Sequence, residues 1–316
     1  MAKEHRLPAS PETVHWGYLD AAIPPVLRVQ SGDRVTVDTI SGSPQLLAAL
    51  ESRYDALPEY AAIFARHQRG PGPHVLTGPV YVEDARPGDT LEVAILDIAL
   101  RQNWGYNIIR PLCGALAEDF RETMRVLQIP LDRDTMTARM SWGARVPLAP
   151  FFGIMATAPR PAYGAVTSIV PREFGGNLDN KELRPGSTLF LPVFNEGALF
   201  SVGDGHAVQG DGEVCVTALE TALSGTFRLT VRKDMRLALP RAETPTHFIT
   251  MAFDADLDTA AKNALRDMLR FLGEEAKLSR EDAYTLVSLA GDVRVTQLVN
   301  EHKGIHVMIP KSILQS

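Results

Sequence analysis

The sequence predicts a mainly β protein of the α+β class, with β-sandwich or barrel-like sheets followed by two late C-terminal helices. Three observations predict it. Apolar and polar residues alternate through short β-branched segments over the first three quarters of the chain. Pro-Gly or Ser-Gly turn sequences stand just before several of those segments. The helical period emerges only after about residue 256. Strands first and helices last argue against a doubly wound sheet, in which the two alternate.

Taken in order, "DRVTVDTI" (33–40) sets Val35, Val37 and Thr39 on one face and Arg34, Thr36 and Asp38 on the other. "GDTLEVAILDIAL" (88–100), "STLFLPVFN" (187–195), "GEVCVTALE" (212–220) and "GTFRLTVRK" (225–233) also read as strands. "RPGD" (86–89) and "RPGS" (184–187) suit type II turns, because Pro presets φ and the following Gly accepts a positive φ. The echo between "RPGDTLEV" and "RPGSTLFL" fits either a duplicated β unit or common turn chemistry, and so short a match favours the second. Ala261, Ala264, Leu265, Met268 and Leu272 predict an amphipathic helix to about Gly273. "SRED" (279–282) opens a second helix, with Ser279 as cap and Gly291 past its end. Short strands follow in "DVRVTQLV" and "IHVMIP". The expected division is a β-rich core over 1–255, with 256–316 as a helical segment and short strands packed on it.

Composition narrows the function classes. The 316 residues are 45% apolar and 22% charged, with a net charge of −6 and both signs mixed along the chain. That balance builds a sizeable core and offers no basic track for nucleic acid. No stretch reaches the length of a membrane span, and the opening residues lack a signal-peptide core, so a cytoplasmic protein is expected. Cys113 and Cys215 are too few for a disulfide framework, and both read as packed thiols. The sequence has no G-x-S-x-G elbow, no HExxH and no P-loop.

Chemistry concentrates in "GDGHAVQGDGEV" (203–214). Its glycines permit close backbone approach, and Asp204 and His206, two apart, project to one side of an extended segment. A carboxylate and an imidazole so placed are two ligands for a divalent metal. Asp211 and Glu213 repeat the spacing. Glu220 shares a face with Val214, Val216 and Ala218, where a carboxylate needs a partner or a cation. Further ligand candidates are Asp38 and His74, and His15 beside an aromatic pair is a candidate for substrate contact. The bland reading is a polar hairpin loop in which Asp and Gly do turn work.

These stretches together resemble the acetamidase/formamidase family over almost the full length. The resemblance rests on "HWGYLDAAIPPVLRVQSGDRVTVDT" (15–39), "HVLTGPVYVEDARPGDTLEV" (74–93), "FFGIMATAP" (151–159), "PREFGGNLDNKEL" (171–183) and "LPVFNEGALFSVGDGHAVQGDGEVCVTALE" (191–220). It implies hydrolysis of short amides to acid and ammonia, on a largely β fold, with a bound divalent metal and a homo-oligomeric assembly. Joined to the residue reading, it casts Asp204 and His206, helped by Asp38, His74 or Glu220, as ligands of zinc or, second, calcium. Glu213 is then the expected general base with Asp211 behind it, and Gly176 and Asn177 of "GGNLDN" the expected oxyanion donors, with a plain tight turn as the alternative. Two other functions stay open: a metal-stabilised β module without chemistry, and a hydrolase of another small C–N bond such as a cyclic amide.

Overall fold

The fold is two large twisted sheets packed face to face, with a helical layer on one end, in a computed structural model describing residues 2–51 and 53–314. The mainly β expectation is borne out. The first sheet runs, in spatial order, Glu4–Leu7, Arg34–Asp38, Leu223–Arg232, Thr90–Leu100, Thr188–Pro192, Arg241–Glu243, His247–Asp254, Lys303–Pro310 and Asp292–Gln297. The second is built around Phe200–Val208, which pairs with Phe151–Ala156, Val75–Val82 and Leu219–Glu220. Val35, Val37, Leu91, Val93, Phe227 and Leu229 of the first sheet meet Val80, Phe152, Met155, Phe200 and Val202 of the second in one core.

The turn sequences do what their chemistry predicts. Asp33, Asp89 and Ser187 each donate a backbone hydrogen bond to the residue three back, at 3.0, 3.0 and 2.9 Å, across Gly32, Gly88 and Gly186 at φ 93°, 95° and 92°. The strands after the two Pro-Gly turns lie side by side, Leu189 opposite Val93. The Gly88 N–H meets the Val193 carbonyl and the Gly186 N–H meets that of Ile95, both at 2.9 Å, so each turn closes on the far end of the other's strand.

Both late helices are present, at Leu257–Glu275 and Arg280–Ala290, and two short ones, Pro44–Ala48 and Tyr60–Arg66, join them. Ser279 caps as expected, accepting the Asp282 N–H at 3.0 Å, but Gly291 ends its helix extended, at φ −94°. The strands after the helices extend the first sheet through His247–Asp254. One expected strand does not form. Only Leu219–Glu220 of 212–220 forms a strand, because Gly212 is bridged to Gln297 and the chain then turns, with Glu213 inward and Val214 outward. Val214 is therefore exposed, and Cys215 is half-buried in a loop, its sulfur 3.1 Å from Asn107 Nδ2.

The helical layer is fastened by a charge. Ala260, Ala264, Met268 and Leu272 bury one face of Leu257–Glu275 on the sheet, and Asp267 is buried on the same helix. Arg241 grips it with two parallel bonds of 2.8 and 2.9 Å. Burial alone would raise the Asp267 carboxyl, but the Arg241 bonds more than reverse it and hold it below its ordinary value. Asp267→Asn should cost about 2 kcal/mol by denaturant unfolding at pH 7, since it leaves the guanidinium only its 3.3 Å contact with the Glu274 carboxylate. The carboxylate's contribution is complete above its unfolded pKa of roughly 4 and disappears as pH falls through the lower folded value. The stability gap between wild type and variant should therefore narrow below about pH 4.

Candidate active site

The first half of the glycine-spaced stretch, to Val208, is a strand in the middle of the second sheet, and its spacing has a steric cause. A Cβ on Gly203 would stand 2.5 Å from the Val75 carbonyl, and one on Gly205 2.5 Å from that of Thr221. Neighbouring backbone therefore presses on the glycine face. Asp204 and His206 occupy the other. Across the sheet, His206 faces Glu220 on one side and Phe151 on the other. The Leu178 and Asp179 N–H groups reach the Gly153 carbonyl at 2.9 and 3.2 Å, which brings Asp179 beside them. Gly212, tied to Thr296 and Leu298 at 3.1 and 3.0 Å, turns Glu213 inward.

The result is a closed cluster. His206 Nε2 lies 3.3 Å from Asp204 Oδ2, 3.4 Å from Glu220 Oε1 and 3.9 Å from Asp179 Oδ1. Asp179, His206 and Glu213 form one group able to hold a metal ion, and Asp204, His206 and Glu220 another, with the ligand atoms of each within 4.8 Å of one another. All five residues are buried. Three carboxylate residues pay in backbone conformation: Asp179, Asp204 and Glu213 sit at φ 49°, 57° and 45°, a region that costs a non-glycine residue about 1 kcal/mol or more.

A second ring of contacts orients the first. Gln209 donates from Nε2 to the carbonyls of Asp179 and Thr296 at 2.8 and 3.3 Å, so its Oε1 must accept, and His206 Nδ1–H supplies the bond at 3.0 Å. That fixes the tautomer and aims Nε2 at the carboxylates. Asn300 donates to Asp179 Oδ2, and the Ala218 N–H to Glu220 Oε1 at 2.9 Å. Two buried atoms at the centre, His206 Nε2 and Asp179 Oδ1, have no hydrogen-bond partner. Between them is space: a Cβ on Gly153 would come within 2.5 Å of both Asp179 Oδ1 and Asp204 Oδ2. An imidazole nitrogen, carboxylate oxygens and a cradle that one methyl would fill suit a divalent cation.

Electrostatics agree with that fit. Burial pushes the Glu213 and Glu220 carboxyls well above their ordinary range. Asp179 is raised to about 7 by burial, with His206 opposing. Burial works against Asp204 ionising, yet His74 and His206 hold it below the usual carboxylate range. Burial also opposes charge on His206, and Glu220 and Asp204 override it.

The expected residues divide into two sets. Asp204, His206, Glu220 and Glu213 come together, and His74 stands at their edge, its Nε2 3.8 Å from Asp204 Oδ2 and its Nδ1 2.8 Å from Ser168 Oγ. Asn177 is buried beside them in the same cleft, its Oδ1 without a partner, and Gly176 precedes it at φ 97°. Three others stand apart. Asp38 is buried against Arg6 at 2.7 Å and Arg101 at 3.8 Å, because Arg6 reaches it from the adjoining strand. Asp211 is partly exposed and pairs with Lys181 at 3.0 Å. His15 has both ring nitrogens engaged, by the Tyr18 carbonyl at 2.7 Å and Ser201 Oγ at 3.2 Å, and burial lowers it to about 4. Asp179, Gly153, Gln209 and Asn300 went unsuspected. Asp179 lies two residues after Asn177 and Gln209 three after His206, so local spacing could have flagged both; nothing local marks Gly153 or Asn300.

A family model described as the Acetamidase/Formamidase family matches residues 5–163 and 160–316. Among solved structures, the chain is similar to an acetamidase from Bacillus halodurans, with TM-score 0.84 and 34% identity over 98% of each chain. It is also similar to an acetamidase from Yersinia enterocolitica, with TM-score 0.86 and 28% identity, covering 99% of this chain and 93% of that one. An acetamidase of Mycolicibacterium smegmatis is 29% identical over 199 residues, 45% of this chain and 49% of that protein. The chain thus spans about half the length of that curated relative.

Two substitutions test the cation fit. Gly153→Ala should abolish Zn²⁺ binding in calorimetric titration, since the added methyl takes the space between the carboxylates. Gln209→Ala should weaken it about tenfold or more by releasing the His206 tautomer. Unchanged affinity in both would place the cation elsewhere.

Proposed function

The chain belongs to the acetamidase/formamidase family, and on that premise we propose that it hydrolyses a primary carboxamide to the carboxylic acid and ammonia with the help of a divalent cation. The relatives' names point to small aliphatic amides such as acetamide and formamide. The observation that carries the reading is the bare His206 Nε2, aimed at carboxylates across the space above Gly153. Zinc suits an imidazole among carboxylates better than calcium, which takes oxygen ligands.

One imidazole nitrogen has one lone pair, so His206 can serve only one of the two groups at a time. The closer group, Asp204, His206 and Glu220 at 3.3 and 3.4 Å, is the one we assign to the cation, with His74 adjoining. When bound, the cation polarises the amide carbonyl and acidifies water. Asp179 and Glu213, the remaining pair, stand on the other side of His206 with carboxyls raised by burial, as groups that exchange protons with a reacting water require. Glu213 takes a proton from the attacking water and returns it to the nitrogen, which must depart as ammonia. Asn300 holds Asp179 in place through Oδ2. Asn177, with its carbonyl oxygen unpartnered in the cleft, accepts an N–H of the substrate amide, which differs from the oxyanion role its position suggests in sequence.

The test is ammonia release from acetamide and formamide, before and after chelation and with Zn²⁺, Mn²⁺ or Ca²⁺ restored. Asp204→Ala and His206→Ala should abolish turnover and cation binding together. Glu213→Gln should retain the cation and lower kcat by about a hundredfold or more. No turnover in any metal state, together with a melting temperature that falls on chelation, would instead identify a structural cation in a non-catalytic module.

A further inference from the structure

The cleft outside the cluster has chemistry that amide hydrolysis alone does not use. Its volume is about 910 Å³, and Trp16, Ile40, Tyr106 and Ile108 supply apolar wall. Cavities of roughly 300–1,000 Å³ hold ligands far larger than a two-carbon amide. Two arginines, Arg69 and Arg110, line the same space. Arg69 uses Nε on the Gly72 carbonyl at 3.0 Å, and its outer nitrogens are available. Arg110 is half-buried. Neither forms an ion pair among the described residues, whereas Arg101 nearby in sequence is paired to Glu59 at 2.6 Å. Of the other ionisable groups on the rim, Glu51 and Arg53 pair with each other at 2.9 Å and Glu301 is exposed to solvent.

The arginines belong to the same locality as the reacting centre. Both line one cleft with His74, Asp204 and Glu220. An unpaired guanidinium at the mouth of the cleft, with Arg110 half-buried and Arg69 exposed, offers a planar fork that matches a carboxylate. In a chain of net charge −6, that local positive pair also favours approach of an anion to a cleft otherwise edged with acids.

We propose that the substrate is a primary carboxamide whose far end, across a short methylene spacer, carries a carboxylate anchored by Arg110 and Arg69. The proposal rests on the amide-hydrolysis reading above. Water oxygen joins the acyl carbon, the C–N bond breaks, nitrogen leaves as ammonia with the proton, and the product is a dicarboxylate. Arg110 lies four residues beyond Tyr106, which pairs with Glu220 in the cluster. That is roughly 13 Å of extended chain, part of which the arginine side chain spans, so a spacer of about two or three methylenes fits.

The experiment compares kcat/KM for succinamate and glutaramate with that for butyramide and valeramide, their neutral counterparts of matched length. We expect a preference of about tenfold or more for the charged amides, falling towards one in the Arg69→Gln/Arg110→Gln double variant. Equal or poorer use of the charged amides by the wild type overturns the proposal while leaving amide hydrolysis intact. Calorimetric titration with succinate separates the two readings. Succinate binding that is lost in the double variant, with no amide hydrolysed, sustains the anion anchor and removes the hydrolase reading. Turnover of neutral amides with no succinate binding does the reverse.

Discussion

Four carboxyl groups and one imidazole share a volume from which the fold excludes most water, and the surrounding structure answers to that constraint. Charges in such a place interact strongly and cost several kcal/mol each when left uncompensated. Asp179, Asp204, Glu213 and Glu220 meet at His206, with no buried Lys or Arg among the residues that hold them. Neutrality must come from protons or from a cation. Both remedies are provided for, in carboxyls raised by burial and in the space above Gly153. Left-handed backbone at three of the acids is the strain of packing them so closely.

The sandwich supplies the rigidity this demands. Phe200–Val208 is flanked on both sides by paired strands, and its glycine face is pressed by Val75 and Thr221 so tightly that only glycine fits at 203 and 205. Phe151 meets the His206 ring edge-on, with centroids 5.0 Å apart, and limits its rotation. The cluster is thus held by sheet backbone and core packing, while the wider cleft is lined by strand residues such as Tyr106 and Ile108 together with the short helix Pro44–Ala48 and loops. The buried acids rest on the most rigid part of the fold.

Much of this was legible in the sequence, for identifiable reasons. Alternation exposed the strands because Val35 and Val37, or Leu91 and Val93, bury one face each. The Pro-Gly turns declared themselves because their geometry is local. Asp204, His206 and Glu213 stood out as acids and a histidine crowded among glycines, and Glu220 as a carboxylate on the apolar face of a strand of which only Leu219–Glu220 forms. What failed was information carried by distant partners. Asp38 looked as available as Asp204 until Arg6 and Arg101 claimed it. The strand expected at 212–220 was broken by a bridge to Gln297, far along the chain. Gly153 and Asn300 have no local mark, since a bare Cα matters only once Asp179 and Asp204 converge over it.

That bridge also bears on how the protein comes into being. Gly212 is fastened to Thr296 and Leu298, and Asp179 to Asn300, all on a segment that leaves the ribosome well after the acids themselves. Early strands can pair during synthesis, but the inward turn of Glu213 has nothing to lean on until residues 296–300 arrive. Assembly of the cluster is thereby a late event. A nascent chain, or one clipped before Thr296, would carry the acids without the geometry, so the cluster is complete only in a chain made past Asn300.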